Sequence, residues 1–146
     1  MKRIVATGTF DFLHPGHLYY LEASRRLGDE LFVIVARDSN VKHKPRPILP
    51  EEHRLRMVAA LKPVDHAVLG DKTDMFLPIE EIQPDIITIG FNQMFKEAQL
   101  RQQLSDRNLN PEIVRIDKYA DGDLCSSRLI VQRVIDKRCG DLHPPE

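Results

Sequence analysis

The sequence predicts a single α/β domain: a five-stranded parallel sheet with helices on both faces. Short apolar runs alternate with segments of helical periodicity, which is the order of a parallel sheet with crossover helices. One run, residues 31–36, is apolar without a break, as a strand covered on both faces requires. A chain of 146 residues can bury one core without disulfides or a structural metal. We expect the domain to span residues 1–140, followed by a tail at 141–146.

The elements follow one another in regular alternation. The expected strands are residues 2–7, 31–36, 67–69, 86–89 and 112–116. The expected helices are residues 16–27, 50–61, 75–82, 95–107 and 126–138. Gly28 closes the first helix, and Pro50 with two glutamates opens the second, where proline and acidic groups are favoured. This order predicts a Rossmann-like fold, whose ligands bind beyond the carboxyl ends of the strands.

Composition limits the classes of partner. The net charge is -1 and 42% of the residues are hydrophobic, so the chain is neither disordered nor basic enough to indicate nucleic acid. It lacks the residue order of a signal peptide and any apolar run of membrane-spanning length. The two cysteines are too few for a disulfide framework. We therefore expect a cytoplasmic protein that binds small molecules, with neither nucleic acid nor membrane as partner.

The central motif is residues 8–17, G-T-F-D-F-L-H-P-G-H. It lies between the first strand and the first helix, where free backbone N–H groups and a positive helix end favour phosphate. His14 and His17 are three positions apart, so one helical turn brings them to the same side. They would donate hydrogen bonds to a phosphate group. Two alternatives stay open: a pair of structural histidines, or a zinc site formed with Cys125 and Cys139.

The motif closely resembles the signature of the H-x-G-H nucleotidyltransferases, which join a nucleotide to a phosphorylated acceptor. Because both histidines are present, the match looks like the branch containing glycerol-3-phosphate cytidylyltransferase and archaeal FAD synthase. The resemblance implies catalysis by His14 and His17 and a substrate-side role for Asp11, which could equally cap a turn. It also implies nucleotide contacts from Thr9, Phe10, His14, Pro15, Gly16 and His17.

Two further loops match family positions. Asn92, in the loop after the fourth strand, lies where the family places an Asp or Asn against the nucleotide, although Gly-x-Asn is also an ordinary turn. Lys44 and Arg46 match the loop from which the family extends a lysine toward the transferred phosphate. Composition alone would leave that loop as a solvated surface. Arg54 also matches a family position, where it would hold that loop or contact phosphate.

The start of the last helix is the third site element. Ser126 and Ser127 would face the outer phosphates with Arg128 adding charge, as the family's C-terminal motif does, although hydroxyls at a helix start usually serve as caps. Tyr119 would contact the nucleotide or pack locally. The preceding Y-A-D-G-D-L-C-S-S looks more like archaeal FAD synthase than a cytidylyltransferase.

The apolar side chains beside the strand ends indicate which acceptor substrate the protein binds. Phe12, Phe91 and Met94 would form a wall for the flavin ring. The resemblance then implies transfer of AMP from ATP to FMN, giving FAD and pyrophosphate, in a homodimer. Mg²⁺ would be held mainly by phosphates and water, without a set of protein ligands. The alternatives are CTP with glycerol 3-phosphate as substrates, or a nucleotide sensor without turnover.

Overall fold

The computed structural model describes residues 1–41, 46–91, 93, 96–117, 124 and 126–139. The strands are β1 Arg3–Gly8, β2 Glu30–Val35, β3 His66–Leu69, β4 Ile86–Ile89 and β5 Glu112–Arg115. The helices are α1 Pro15–Arg25, α2 Glu51–Ala59, α3 Leu77–Ile82, α4 Glu97–Ser105 and α5 Ser127–Arg138, with a short 3-10 helix at Asp38–Asn40. Every predicted strand and helix is present, and β4 has the predicted bounds.

The five strands form one parallel sheet in the order β3-β2-β1-β4-β5. This confirms the predicted Rossmann-like α/β fold. The chain passes outward from β1 to β3 on one side and from β4 to β5 on the other. The strand order therefore reverses between β1 and β4, where a crevice opens beyond their carboxyl ends.

Apolar side chains fill both faces of the sheet. Along β1, Ile4 and Ala6 point into one buried cluster with Leu21 of α1 and Val58 of α2. Val5, between them, points into a second cluster, which contains residues of the later helices. This alternation follows from the two-residue period of a strand. It explains why β1 carries no polar side chain in its central part.

One helix begins later than predicted because side chains bond to the main chain of the turn before it. Helix α3 begins at Leu77 rather than 75, because Asp71 and Asp74 accept main-chain N–H bonds from Thr73, Asp74 and Phe76 in the preceding turn. No helix in the described part of the chain is long and apolar enough to cross a membrane.

Candidate active site

A cavity of about 510 Å³ lies at the carboxyl ends of β1 and β4. Its walls are the loop after β1, the loop after β4 and the first turns of α1 and α5. Its lining includes many of the site residues predicted from the sequence, among them Thr9, Asp11, His14, Gly16, His17, Arg46, Phe91, Ser126, Ser127 and Arg128. The cavity thus lies in the predicted crevice, where the strand order reverses.

The two signature histidines lie side by side in the cavity. His14 is the N-cap of α1 and Pro15 follows it, so the helix begins with the proline that its first turn favours. The imidazole rings stack with their centroids 3.7 Å apart and their planes at 25°. Burial lowers the pKa of His14, and its Nδ1 has no hydrogen-bonding partner among the described residues. A buried polar atom of this kind needs a partner, which a ligand in the cavity would supply.

Phe10 supports the histidines from behind. It has φ of 55°, a left-handed conformation that is rare for a bulky residue, and only 3% of its surface is exposed. Its ring lies 5.2 Å from that of His17. A Cβ on Gly8 would lie 2.8 Å from the Phe10 ring, so the strand end needs glycine for the ring to fit. Packing against Gly8 and His17 thereby holds Phe10 in its strained conformation.

Two helix N-termini place positive partial charge at the cavity. Helices α1 and α5 both begin at it, and neither has an acidic residue in its first turn. The other three α-helices each carry a glutamate there. Since the first-turn N–H groups give a helix a positive end, a glutamate offsets that charge in α2, α3 and α4 but not in the two helices at the cavity. The arrangement is suited to a phosphate chain bridging α1 and α5.

The two serines at the start of α5 are engaged within the protein. Ser126 is the N-cap, and its hydroxyl accepts a hydrogen bond from the Leu129 N–H at 3.2 Å. The Ser127 hydroxyl donates to the Phe12 carbonyl at 3.1 Å and accepts from the Phe12 N–H at 3.2 Å. These bonds tie α5 to the signature loop across 115 positions of sequence. The capping alternative for Ser126 therefore applies, and Ser127 links the two walls of the cavity.

Arg54 does not reach the cavity, although it was expected to hold the loop or contact phosphate. Its side chain has no exposed surface, and it donates to the carbonyl oxygens of Thr9, Ala36 and Leu49 and to the carboxylate of Asp38. It thus joins the loop after β1 to the loop after β2 and to the start of α2. We correct the substrate-contact alternative accordingly: Arg54 is a positioning residue.

Asp11 bonds to a neighbouring segment and also lines the cavity. Its carboxylate accepts hydrogen bonds from the N–H groups of Ile48 and Leu49, both at 2.9 Å. It also lines the cavity. Asp11 therefore anchors the segment that carries Arg46 to the signature loop.

The cytidylyltransferase-like family model matches residues 5–133. The chain belongs to this family. An FAD synthase from Methanoregula boonei is 70% identical over 137 residues, covering 94% of this chain and 93% of that protein. An FAD synthase from Methanosphaerula palustris is 71% identical over 138 residues, covering 94% of this chain and 90% of that protein.

Solved structures give the same family architecture. A structure described as a lipopolysaccharide core biosynthesis protein from Thermoplasma volcanium superposes with a TM-score of 0.80 at 47% identity, covering 82% of this chain and 99% of that one. Pantothenate synthetase from Thermus thermophilus shares the fold alone, with a TM-score of 0.55 at 16% identity, over 83% of this chain and 57% of that one.

The other candidate residues of this cytidylyltransferase-like protein fall into two groups. Lys44, Asn92, Met94 and Tyr119 lie outside the described residues, as does Cys125 of the zinc alternative. Phe12, Pro15 and Arg54 are described but do not line the cavity. Phe12 was expected in the flavin wall, but the lining of this cavity does not include it; its main chain bonds to Ser127.

Several lining residues escaped the sequence prediction. They are Tyr19, Tyr20, Gln93, Ile116, Val131 and Gln132, with the adjoining Ile48 and Asp117. Tyr20 follows His17 by three positions, and Val131 and Gln132 follow Arg128 by three and four, so helical periodicity from known site residues could have indicated them. Gln93 has no such signal, because its role depends on a contact with β1.

Proposed function

We propose that this chain is an FAD synthase that transfers AMP from ATP to FMN, releasing pyrophosphate. The observation that carries the proposal is the pair of stacked imidazoles at the positive end of α1, inside the cavity. Its relatives named FAD synthase are 54–71% identical over at least 93% of this chain. Identity at this level over nearly the whole chain supports the same reaction for this protein.

The chemistry requires alignment and charge stabilisation. An oxygen of the FMN phosphate attacks the α-phosphorus of ATP, a new P–O bond forms, and the bond to the bridging oxygen of pyrophosphate breaks. The nucleophile is already anionic, so no covalent enzyme intermediate is needed. His14 and His17 would stabilise the charge at the α-phosphorus, and the N-termini of α1 and α5 would hold the phosphate chain.

Basic side chains complete this arrangement. Arg46 and Arg128 both line the cavity and are exposed to solvent there. They would neutralise the outer phosphates from opposite walls. Lys44 is proposed to reach the transferred phosphate, as the sequence resemblance implies. Thr9, Phe10, Asn92 and Tyr119 are proposed to contact the nucleotide.

Mg²⁺ would enter with ATP. The described residues hold no group of three or more His, Cys, Asp or Glu side chains placed to bind a metal. Asp11, the carboxylate nearest the histidines in sequence, is engaged with two main-chain N–H groups. The donor set therefore fits an ion held by phosphate oxygens and water, and the ion would neutralise the leaving pyrophosphate.

The flavin ring requires an apolar wall. Phe91 lines the cavity with 48% of its surface exposed, and Ile116 and Val131 line the same cavity. We propose that these three groups contact the isoalloxazine ring, with Met94 as the predicted further member. An exposed phenylalanine beside two aliphatic groups is suited to a flat aromatic ligand.

The decisive experiment offers the purified protein four substrate pairs: ATP or CTP with FMN or glycerol 3-phosphate, each with Mg²⁺. We expect pyrophosphate and FAD from ATP with FMN, and background pyrophosphate from CTP with glycerol 3-phosphate. Separation of the flavins identifies the product directly. Pyrophosphate from CTP with glycerol 3-phosphate alone would refute the proposal and favour the cytidylyltransferase alternative. Nucleotide binding without any product would favour a sensor.

We also propose a homodimer, as the resemblance implies. No described residue of α5 is buried, and Val134 and Ile135 are 44% and 49% exposed. Exposed aliphatic groups on one helix are typical of a surface that a second chain covers. Sedimentation of the wild type and of Ile135→Glu tests this, since the substitution should favour the monomer. The cytoplasmic location stays a prediction.

A further inference from the structure

The regular pairing of β1 with β4, here called the β1–β4 seam, stops at the cavity. The last paired residues are Ala6 and Thr88. One position further, a regular parallel ladder would join the Thr7 N–H to the Thr88 carbonyl and the Gly90 N–H to the Thr7 carbonyl. The first bond belongs to the Ala6–Thr88 pairing, but the second does not form directly. A side chain occupies its place.

Tyr20 contacts both main-chain groups of the first bond. Its hydroxyl accepts from the Thr7 N–H at 3.2 Å and donates to the Thr88 carbonyl at 2.9 Å. Burial raises the pKa of Tyr20 to about 12, so the hydroxyl keeps its proton and remains a donor. The hydroxyl therefore fixes the last regular pairing of β1 with β4.

Gln93 replaces the second bond. Its Oε1 accepts from the Gly90 N–H at 2.7 Å, and its Nε2 donates to the Thr7 carbonyl at 3.1 Å. The side-chain amide thus acts as an inserted peptide group, with one acceptor and one donor facing the two strands.

The outer sides of both strands continue normally. Thr7 and Gly8 still pair with Ile34 and Val35 of β2, and Ile89 still pairs with Arg115 of β5. The separation is therefore confined to the β1–β4 seam. Arg115 holds the far side of the opened loop, because its guanidinium donates to the carbonyls of Gly90 and Gln93 at 2.9 and 3.1 Å.

We propose that Gln93 is a positioning residue whose amide forms a polar wedge beside the pairing fixed by Tyr20, holding the loops after β1 and β4 apart at the distance the two substrates require. This inference rests on the proposed function. All four groups of the seam, Thr7, Tyr20, Gly90 and Gln93, line the cavity. The wedge is its floor, and the loops that it separates carry the histidines on one side and Phe91 on the other.

Replacing Gln93 with leucine removes the inserted donor and acceptor at similar size. The Gly90 N–H can then bond directly to the Thr7 carbonyl, which draws the β4 loop toward β1. A misplacement of about 1 Å at a reacting centre can cost about 100-fold in rate, so we expect kcat/KM for FAD formation to fall about 10- to 100-fold. Gln103→Leu, on the exposed face of α4, is the matched control and should leave kcat and KM unchanged.

A second variant separates positioning from folding. In Gln93→Glu, the ionised carboxylate accepts from Gly90 but cannot donate to Thr7, whereas the protonated acid can do both. The ratio of variant to wild-type kcat/KM should therefore rise as the pH falls. Tyr20, Arg115 and the two imidazoles are the titratable or charged groups around this side chain, and Gln93→Leu, which keeps them all without a carboxylate, is the control for their titration. Gln93→Leu should show no such rise.

The outcomes distinguish the two proposals. The wedge is overturned if the wild type makes FAD and Gln93→Leu keeps its kcat and KM while only Tm changes. Parallel pH profiles for Gln93→Glu and the wild type would overturn it equally. If the wild type makes no FAD, the proposed function fails, and calorimetric Kd values for ATP decide the wedge: an unchanged Kd in Gln93→Leu would refute it.

Discussion

Gly8→Ala tests how closely the signature loop is packed. The added Cβ would lie 2.8 Å from two ring carbons of Phe10, well inside the contact distance of carbon atoms. The ring cannot simply turn away, because Phe10 is 3% exposed and packs against His17. Either β1 or the Phe10 ring must therefore shift, and the imidazole shifts with it.

The cost follows from overpacking. Inserting a methyl group into a filled core costs about 1–3 kcal/mol, and each kcal/mol lowers Tm by about 2–4 °C in a domain of this size. We also expect kcat to fall by about 10- to 100-fold, because the displaced ring supports the reacting group. Thermal unfolding and FAD formation measure the two effects separately.

Gly70→Ala is the matched control. Gly70 follows β3 as closely as Gly8 ends β1, but the nearest atoms to its added Cβ lie at 3.7 Å, an ordinary contact. Its substitution should change stability by less than about 1 kcal/mol and leave kcat unchanged. If Gly8→Ala behaves like Gly70→Ala in both measurements, the packing argument is wrong. Recovery of Tm in Gly8→Ala/Phe10→Leu relative to Gly8→Ala would support it further.

Three further predictions concern the charged groups. His17→Ala should lower kcat by about 10²- to 10⁴-fold, or about 3–5 kcal/mol, with a smaller change in the Kd for ATP. If kcat and the affinity for ATP fall by the same factor, His17 stabilises the bound substrate rather than the transition state. Burial lowers the pKa of His14 and bound triphosphate should raise it, so ATP binding near pH 6.5 should take up protons. Calorimetry in buffers of different ionisation enthalpy measures this uptake, which His14→Ala should reduce. Arg54→Met should cost about 3–5 kcal/mol, because the buried guanidinium donates to three partly buried main-chain carbonyls, whereas exposed Arg56→Met should cost under about 0.5 kcal/mol. Similar Tm values would contradict the positioning role.

The sequence was most informative where local pattern and fold agree. The apolar run at β2 and the complete match at β4 follow from burial on both faces, which leaves little choice of residue. The place of the cavity followed from strand ends and helix starts, which are local signals. The fold class and the reaction class were predictable from these features and the signature.

Long-range contacts were not predictable in the same way. Arg54 resembles a surface arginine in sequence, and only the joining of three loops makes it the largest fully buried side chain among the described residues. Phe12 looks like a ligand contact because it belongs to the signature, yet it does not line the cavity, and its main chain bonds to Ser127 of α5. Such partners are distant in sequence, and periodicity carries no information about them.

The bonds of Arg54 also have a consequence for folding. One side chain joins residues 9, 36, 38 and 49, so the signature loop cannot open while α2 remains docked. Loops usually exchange amide hydrogens through local fluctuations that cost little free energy. Here the amides next to Thr9 and Leu49 should exchange only by the opening that also releases the core of α2. The signature loop is thereby part of the same cooperative unit as the hydrophobic core.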